Sequence, residues 1–212
     1  MAKGYRLALP TPRARRLSDL RVLVVDHHPM AGVDAEVLSV LHGLVDAMAR
    51  AGSKIVRAAT VTDLPDFSEG HGVYLAILGA IVSRMAPGLS EPITAGAWMD
   101  LLGAQDAICR RWAKVFQEVD VVLAPPFGVA AFPHIDEPDQ GKRSLLIDGR
   151  PSPYGAQIAW SGIASVANLP ATCAPVGKTA GGLPVGVQII GPFLEDRTTL
   201  AVGEMIGALM SR

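Results

Sequence analysis

The stretch NLPATCAPVGKTAGGLPVGVQIIGP, residues 168–192, decides how the chain is read. Two apolar runs, ATCAPV and LPVGVQIIG, flank KTAGG, a segment of small and turn-forming residues. Apolar runs rich in β-branched residues and bounded by turn signals read as strands, so two strands joined by a turn are expected. Gly177-Lys178-Thr179 resembles the end of a phosphate-binding loop, which also needs a glycine five positions before Gly177 and a helix directly after the threonine. Thr172 stands at that position and a turn and strand follow, so phosphate binding is not expected. Cys173 has no cation within two positions, whereas a reactive thiolate needs a cation, a helix N-terminus or a base. It is expected to be a small buried side chain within the first strand, and Gly177-Lys178-Thr179 a turn between the two strands held open by Gly177, Gly181 and Gly182.

Working outward, LRVLVVD (residues 20–26) reads as a strand buried on both faces. From Asp34 the spacing of Val37, Leu38, Leu41, Leu44, Val45 and Met48 predicts an amphipathic helix, capped by Asp34 and ended by Gly52 in the left-handed conformation. SKIVRAATV supplies the next strand, making residues 20–61 a strand-helix-strand unit. A helix over about residues 67–85 is broken by PGLSEP, and a second over about 97–118 carries Trp98, Leu101, Leu102, Ile108, Trp112 and Phe116 on its inner side. DVVLAPP (residues 120–126) is a third buried strand stopped by two prolines. Residues 127–155 read as a long loop, 156–167 as a short helix, and LEDRTTLAVGEMIGALMSR as a final helix with acidic residues in its first turn. With no internal repeat and no low-complexity linker, residues 1–212 are expected to form one α/β domain with a mixed β-sheet flanked by helices.

Composition narrows the function classes. Half of the 212 residues are hydrophobic and 18% are charged, which suits a packed globular protein rather than a disordered one. A net charge of −1 gives no electrostatic reason to expect nucleic acid or an acidic membrane as partner. The two cysteines, Cys109 and Cys173, make no disulfide framework or zinc motif, so a reducing, cytoplasmic setting is the default. MAKGYRLALPTPRARRLSDL contains no apolar segment of signal-peptide length. VYLAILGAIV (residues 73–82) is the most apolar run but falls short of the roughly 18 residues that span a bilayer, so a buried helix is expected there.

Candidate chemistry is sparse. VLVVDHHPM (residues 22–30) resembles the first strand of a response-regulator receiver, where an acidic pair helps to hold Mg²⁺. Asp26-His27 supplies one carboxylate, and the strand that should carry the phosphate-accepting aspartate ends in Pro125 and Pro126, which leaves a receiver-like phosphoprotein a weak alternative. His27 and His28 point to opposite sides of an extended chain and have no identifiable third partner. They read as loop histidines, and neither metal nor cofactor is expected. AWSGIAS (residues 159–165) is the nearest approach to a nucleophile turn, but Ala159 replaces its first glycine and Ser161 falls in a helical pattern. Ser161 and Gly162 are expected to permit close helix packing instead.

Three stretches taken together, YRLALPTPRARRLSDLRVLVV, DVVLAPPFGVAAFPH and ASVANLPATCAPVGKTAGGLPVGVQIIGPFLEDRTTL, resemble the C-terminal portion of amidase signature family hydrolases. The last is the most specific, with NLPA, a PVG turn, GLPVGVQIIGP and EDR in the family's order. The resemblance implies the C-terminal half of the amidase signature fold. It further implies cleavage of a carboxylic amide C–N bond by a Ser-Ser-Lys mechanism acting on linear amides in the intact enzyme. The family places that machinery in a preceding glycine- and serine-rich region, which this sequence lacks. None of Lys3, Lys54, Lys114, Lys142 and Lys178 lies in the family's lysine context, so no catalytic residue is assigned. The chain is expected to be inactive alone. By resemblance, the segment ending in SPYGAQIAW contributes to the substrate wall, with Tyr154, Gln157 and Trp160 as candidate substrate-binding residues. An exposed sheet edge implies a homo-oligomer or association with the missing N-terminal half. The competing reading is a non-catalytic interaction or scaffold protein built on the same half-fold.

Overall fold

The alternation of apolar residues along Arg21–Val24 (β1) sends Val22 to one side of a sheet and Leu23 to the other, and both are fully buried. The computed structural model describes residues 4, 6–85 and 92–211. In it Ala35–Arg50 (α1) follows β1, with Asp34 accepting a hydrogen bond from the Glu36 amide at its start. Val37, Leu41, Leu44 and Met48 face inward, and Gly52 leaves the helix at φ +97° as its position predicts. Lys54–Arg57 (β2) then pairs parallel to β1, completing the strand-helix-strand unit.

Phe67–Met85 (α2) begins where the Asp66 carboxylate accepts from the Ser68 and Glu69 amides. Its apolar run is not the buried helix expected: Leu75, Leu78 and Ile81 are exposed. α2 packs on two other helices, leaving its far side uncovered among the described residues. The PGLSEP break lies outside the described residues except for Pro92. Ala95–Glu118 (α3), capped by Thr94, buries Ile108, Trp112, Val115 and Phe116 but not Leu102, so the expected inner face holds only in its C-terminal half.

Val121–Ala124 (β3) is buried throughout and lies parallel to β1. The segment expected to be a long loop contains a hairpin, Ser144–Ile147 (β4) and Arg150–Pro153 (β5), turned by Asp148 and Gly149, both at positive φ. Asp-Gly between two short strands is the sequence signal for such a turn. Ile158–Ser165 (α4) packs on α2 where Gly162 meets Tyr74, since a Cβ at Gly162 would lie 3.0 Å from that ring. Ser161 is turned outward, with its hydroxyl donating to the Ile158 carbonyl.

Ala171–Lys178 (β6) and Pro184–Ile190 (β7) are the two expected strands, and Asp196–Met210 (α5) closes the chain. The sheet runs β2-β1-β3-β7-β6, with β7 antiparallel to both β3 and β6. One core, under α1 and α5, takes Val22, Leu123, Val187 and Ile189, and the other, under α3 and α4, takes Leu23, Val122, Ala124 and Ile190. A one-residue slip would exchange the two cores, which is why the register is well specified.

At the edge, β6 sends Ala174 and Val176 into the first core while Ala171, Cys173 and Pro175 stay exposed. Cys173 is therefore an exposed thiol and not a buried one, because the second helical layer does not reach over the edge strand. PVG is also no turn: Pro175 to Gly177 forms a bulge inside β6. A Cβ on Gly177 would come within 2.7 Å of Val40 on α1, so that glycine permits helix-strand contact, and the turn itself pivots on Gly182 at φ +83°. The EDR motif has a structural role here. Glu195 accepts two hydrogen bonds from Arg13, whose guanidinium also donates to the Phe116 carbonyl, tying the N-terminal segment to the start of α5 and the end of α3. Among the described residues no helix is long and apolar enough to cross a membrane.

Candidate functional site

In open α/β sheets ligands bind outside the carboxyl ends of parallel strands, where the connections diverge. Here the chain leaves β1 through α1 on one face and enters β3 from α3 on the other, so the divergence lies between β1 and β3. The segments that follow these strands are laced together by Gln157. Its Oε1 accepts from the Gly128 amide at 2.7 Å and its Nε2 donates to the Gly32 carbonyl at 3.2 Å. The Asp34 amide donates to the Gly128 carbonyl at 2.7 Å. Gly128 has no room for a side chain, since a Cβ would overlap the Gly32 carbonyl and press on Gln157. Removing the Gln157 amide would leave the buried Gly128 amide unpaired, at about 1–3 kcal/mol, and release the Gly32 carbonyl.

Beyond Gly128, the rings of Phe127 and Phe132 stack at 6.0 Å and Tyr154 stands against both, at 6.2 and 6.1 Å. Tyr154, Phe132, His134 and Arg143 line a cavity of about 330 Å³. On the other side of the same segment, a cleft of about 490 Å³ lies between residues 129–135, the β4–β5 hairpin and the start of α1. The hairpin is docked there by Asp148, which accepts from the Ala35 amide at 2.9 Å. Tyr154 thus faces a cavity. Gln157 and Trp160 are fully buried behind it, Gln157 as the clamp just described and Trp160 against the His28 ring. Sequence reading did not single out Phe127, Gly128, Phe132 or Asp148, although the Asp148-Gly149 pair carried a usable signal.

His27 and His28 lie in the irregular segment that follows β1, where His27 is exposed and His28 is buried. His28 stacks on Phe67 at 5.5 Å, and its Nδ1 accepts from the Met30 amide at 3.1 Å. Burial, reinforced by nearby His71 and His27, pushes its pKa down to about 4. The Asp26 carboxylate is paired with His42 at 2.8 Å. No three metal-ligating side chains converge among the described residues. Lys114 and Lys142 are in surface ion pairs with Asp63 and Asp139, Lys54 and Lys178 are exposed, and Lys3 lies outside the described residues. No hydrogen bond joins a serine hydroxyl to a lysine among the described residues.

Comparison with known proteins agrees with this architecture. The Amidase family profile matches residues 73–200. The chain is 29% identical over 169 residues to a glutamyl-tRNA(Gln) amidotransferase subunit of Novosphingobium aromaticivorans, covering 74% of this chain and 32% of that protein. It is 29% identical over 145 residues to a fatty acid amide hydrolase of Medicago truncatula, covering 68% of this chain and 22% of the relative. Among solved structures, a fatty acid amide hydrolase superposes with a TM-score of 0.72 at 16% identity, over 98% of this chain and 42% of that one. At that identity the superposition speaks for the fold alone, and the chain spans less than half the length of these relatives. With the profile covering more than half of its residues, the chain belongs to the amidase family.

Proposed function

We propose that this chain supplies the C-terminal half of an amidase signature hydrolase that cleaves the C–N bond of a carboxylic amide. In this reading residues 1–212 are one α/β domain that walls the substrate site, and the Ser-Ser-Lys relay comes from a polypeptide region outside it. The observation that carries the reading is the superposition of nearly the whole chain on a part of an amidase-fold enzyme, with divergent loops at the ends of β1 and β3 and no serine-lysine pair of its own among the described residues. Tyr154 would face the substrate, while Gln157 and Trp160 hold the wall in place from behind. The relatives' names point to amide transfer and amide hydrolysis as the chemical range. Two free thiols fit a cytoplasmic setting.

The test is amide hydrolysis by the purified chain alone and after mixing with a polypeptide carrying the family's glycine- and serine-rich region. No turnover is expected from the chain alone, and hydrolysis is expected with the complement. Turnover by the chain alone that is abolished by Ser161→Ala overturns the reading. The uncovered side of β6 favours a second reading, in which the half-fold acts as a non-catalytic interaction module. A stable complex with the complementary region that never hydrolyses an amide would select it.

A further inference from the structure

The cleft over the start of α1 has a polarity that the amidase reading does not require. Its walls are apolar, formed by Val37, Phe132, Leu145, Leu146 and Leu183, and three of these side chains, Phe132, Leu146 and Leu183, are exposed along its rim. Its volume of about 490 Å³ falls in the range of small-molecule sites, roughly 300–1,000 Å³. Among the described residues the charged lining groups are Asp34 and Glu36 and no lysine or arginine lines the cleft, while the rim residue His134 is held by Asp136 at 2.8 Å.

A helix N-terminus ordinarily attracts anions through its free amides. Here that capacity is already used by the protein's own carboxylates. The Ala35 amide donates to Asp148 at 2.9 Å and the Glu36 amide to Asp34 at 3.0 Å. The Asp148 amide in turn donates to Asp34 at 3.3 Å, so the two aspartates lock the hairpin to the helix. An incoming carboxylate would find these first-turn donors occupied and negative charges beside them.

We propose that this cleft binds the apolar part of an uncharged or cationic amide and rejects substrates bearing a carboxylate. The proposal rests on the amidase reading for the word substrate, but the selectivity is a property of the cleft and is measured as binding. Octanamide, octanoate and octylamine share one apolar chain and differ in head-group charge. Titration of each into the folded chain at low ionic strength, followed by calorimetry or ligand NMR, should show octanamide and octylamine binding and octanoate weaker by about tenfold, the scale of one like-charge contact near a protein surface. Glu36→Lys should narrow or reverse the order of octanoate and octylamine. Leu146→Asp and Leu183→Asp, both at exposed positions, should abolish binding of octanamide with an unchanged circular dichroism spectrum. Octanoate binding as tightly as octanamide, an order unmoved by Glu36→Lys, or no binding by any of the three overturns the proposal. Failure to hydrolyse amides with the complementary region would count against the amidase reading alone.

Discussion

At the scale of single residues, His28 couples the candidate site to pH. It is 3% exposed, packed between Phe67 and Trp160, and its neutral form is held by the Met30 amide. The folded chain keeps it unprotonated down to about pH 4, whereas an unfolded histidine binds its proton near 6.5. Above pH 6.5 neither state is protonated and the contribution is complete; below it the unfolded state gains the proton first, so stability falls as pH drops toward 4. A displacement of this size corresponds to about 3 kcal/mol. Burial also lowers the pKa of His71 and adds to the loss in the same direction. Urea unfolding between pH 7 and 4 should show this decline, and His28→Phe should flatten it while lowering stability at neutral pH, because the Met30 amide loses its acceptor. An unchanged slope in the variant would show that His28 does not govern the acid limb.

At the scale of elements, α2 shows the difference between an apolar sequence and a buried one. A helix apolar on all sides is expected to be enclosed, yet α2 touches α3 and α4 on one side and leaves Leu75, Leu78 and Ile81 outside. Lysine at Leu75 or Ile81 should therefore change unfolding free energy by no more than about 0.5 kcal/mol, the range of ordinary surface substitutions. Leu44→Ala, in the core under α1, should cost about 2–5 kcal/mol in the same denaturant titration. A large loss at Ile81 would mean that this face is covered in solution. The β4–β5 hairpin teaches the converse: its strands are only four residues each and the second holds two prolines, so periodicity is weak, but the Asp148-Gly149 turn was readable.

At the scale of the whole molecule, the uncovered surfaces bear on association. β6 is an edge strand with Ala171, Cys173 and Pro175 exposed, and an edge of this kind is a template for pairing with another chain. This edge gives reason to expect self-association of the chain alone. Sedimentation velocity should show an average mass that rises with concentration, and Cys173→Lys should lower it by placing charge beside the edge. A monomer at all concentrations would remove the edge as an interface.

The sequence by itself determined the strand-helix-strand unit, the buried strand before Pro125, the final strand pair and the family, because these depend on local patterning: alternation, helical spacing, caps and glycine placement. Asp34 and Gly52 bound α1 as their chemistry predicts. Only the tertiary structure decided which apolar residues are covered and which polar groups meet. Cys173 is exposed because its strand is at an edge, His28 is buried because Phe67 and Trp160 close over it, and Gln157 reaches back 125 positions to Gly32 while holding Gly128. Burial and long-range hydrogen bonding are properties of packed layers, set by which elements become neighbours, and no local window of residues contains that information.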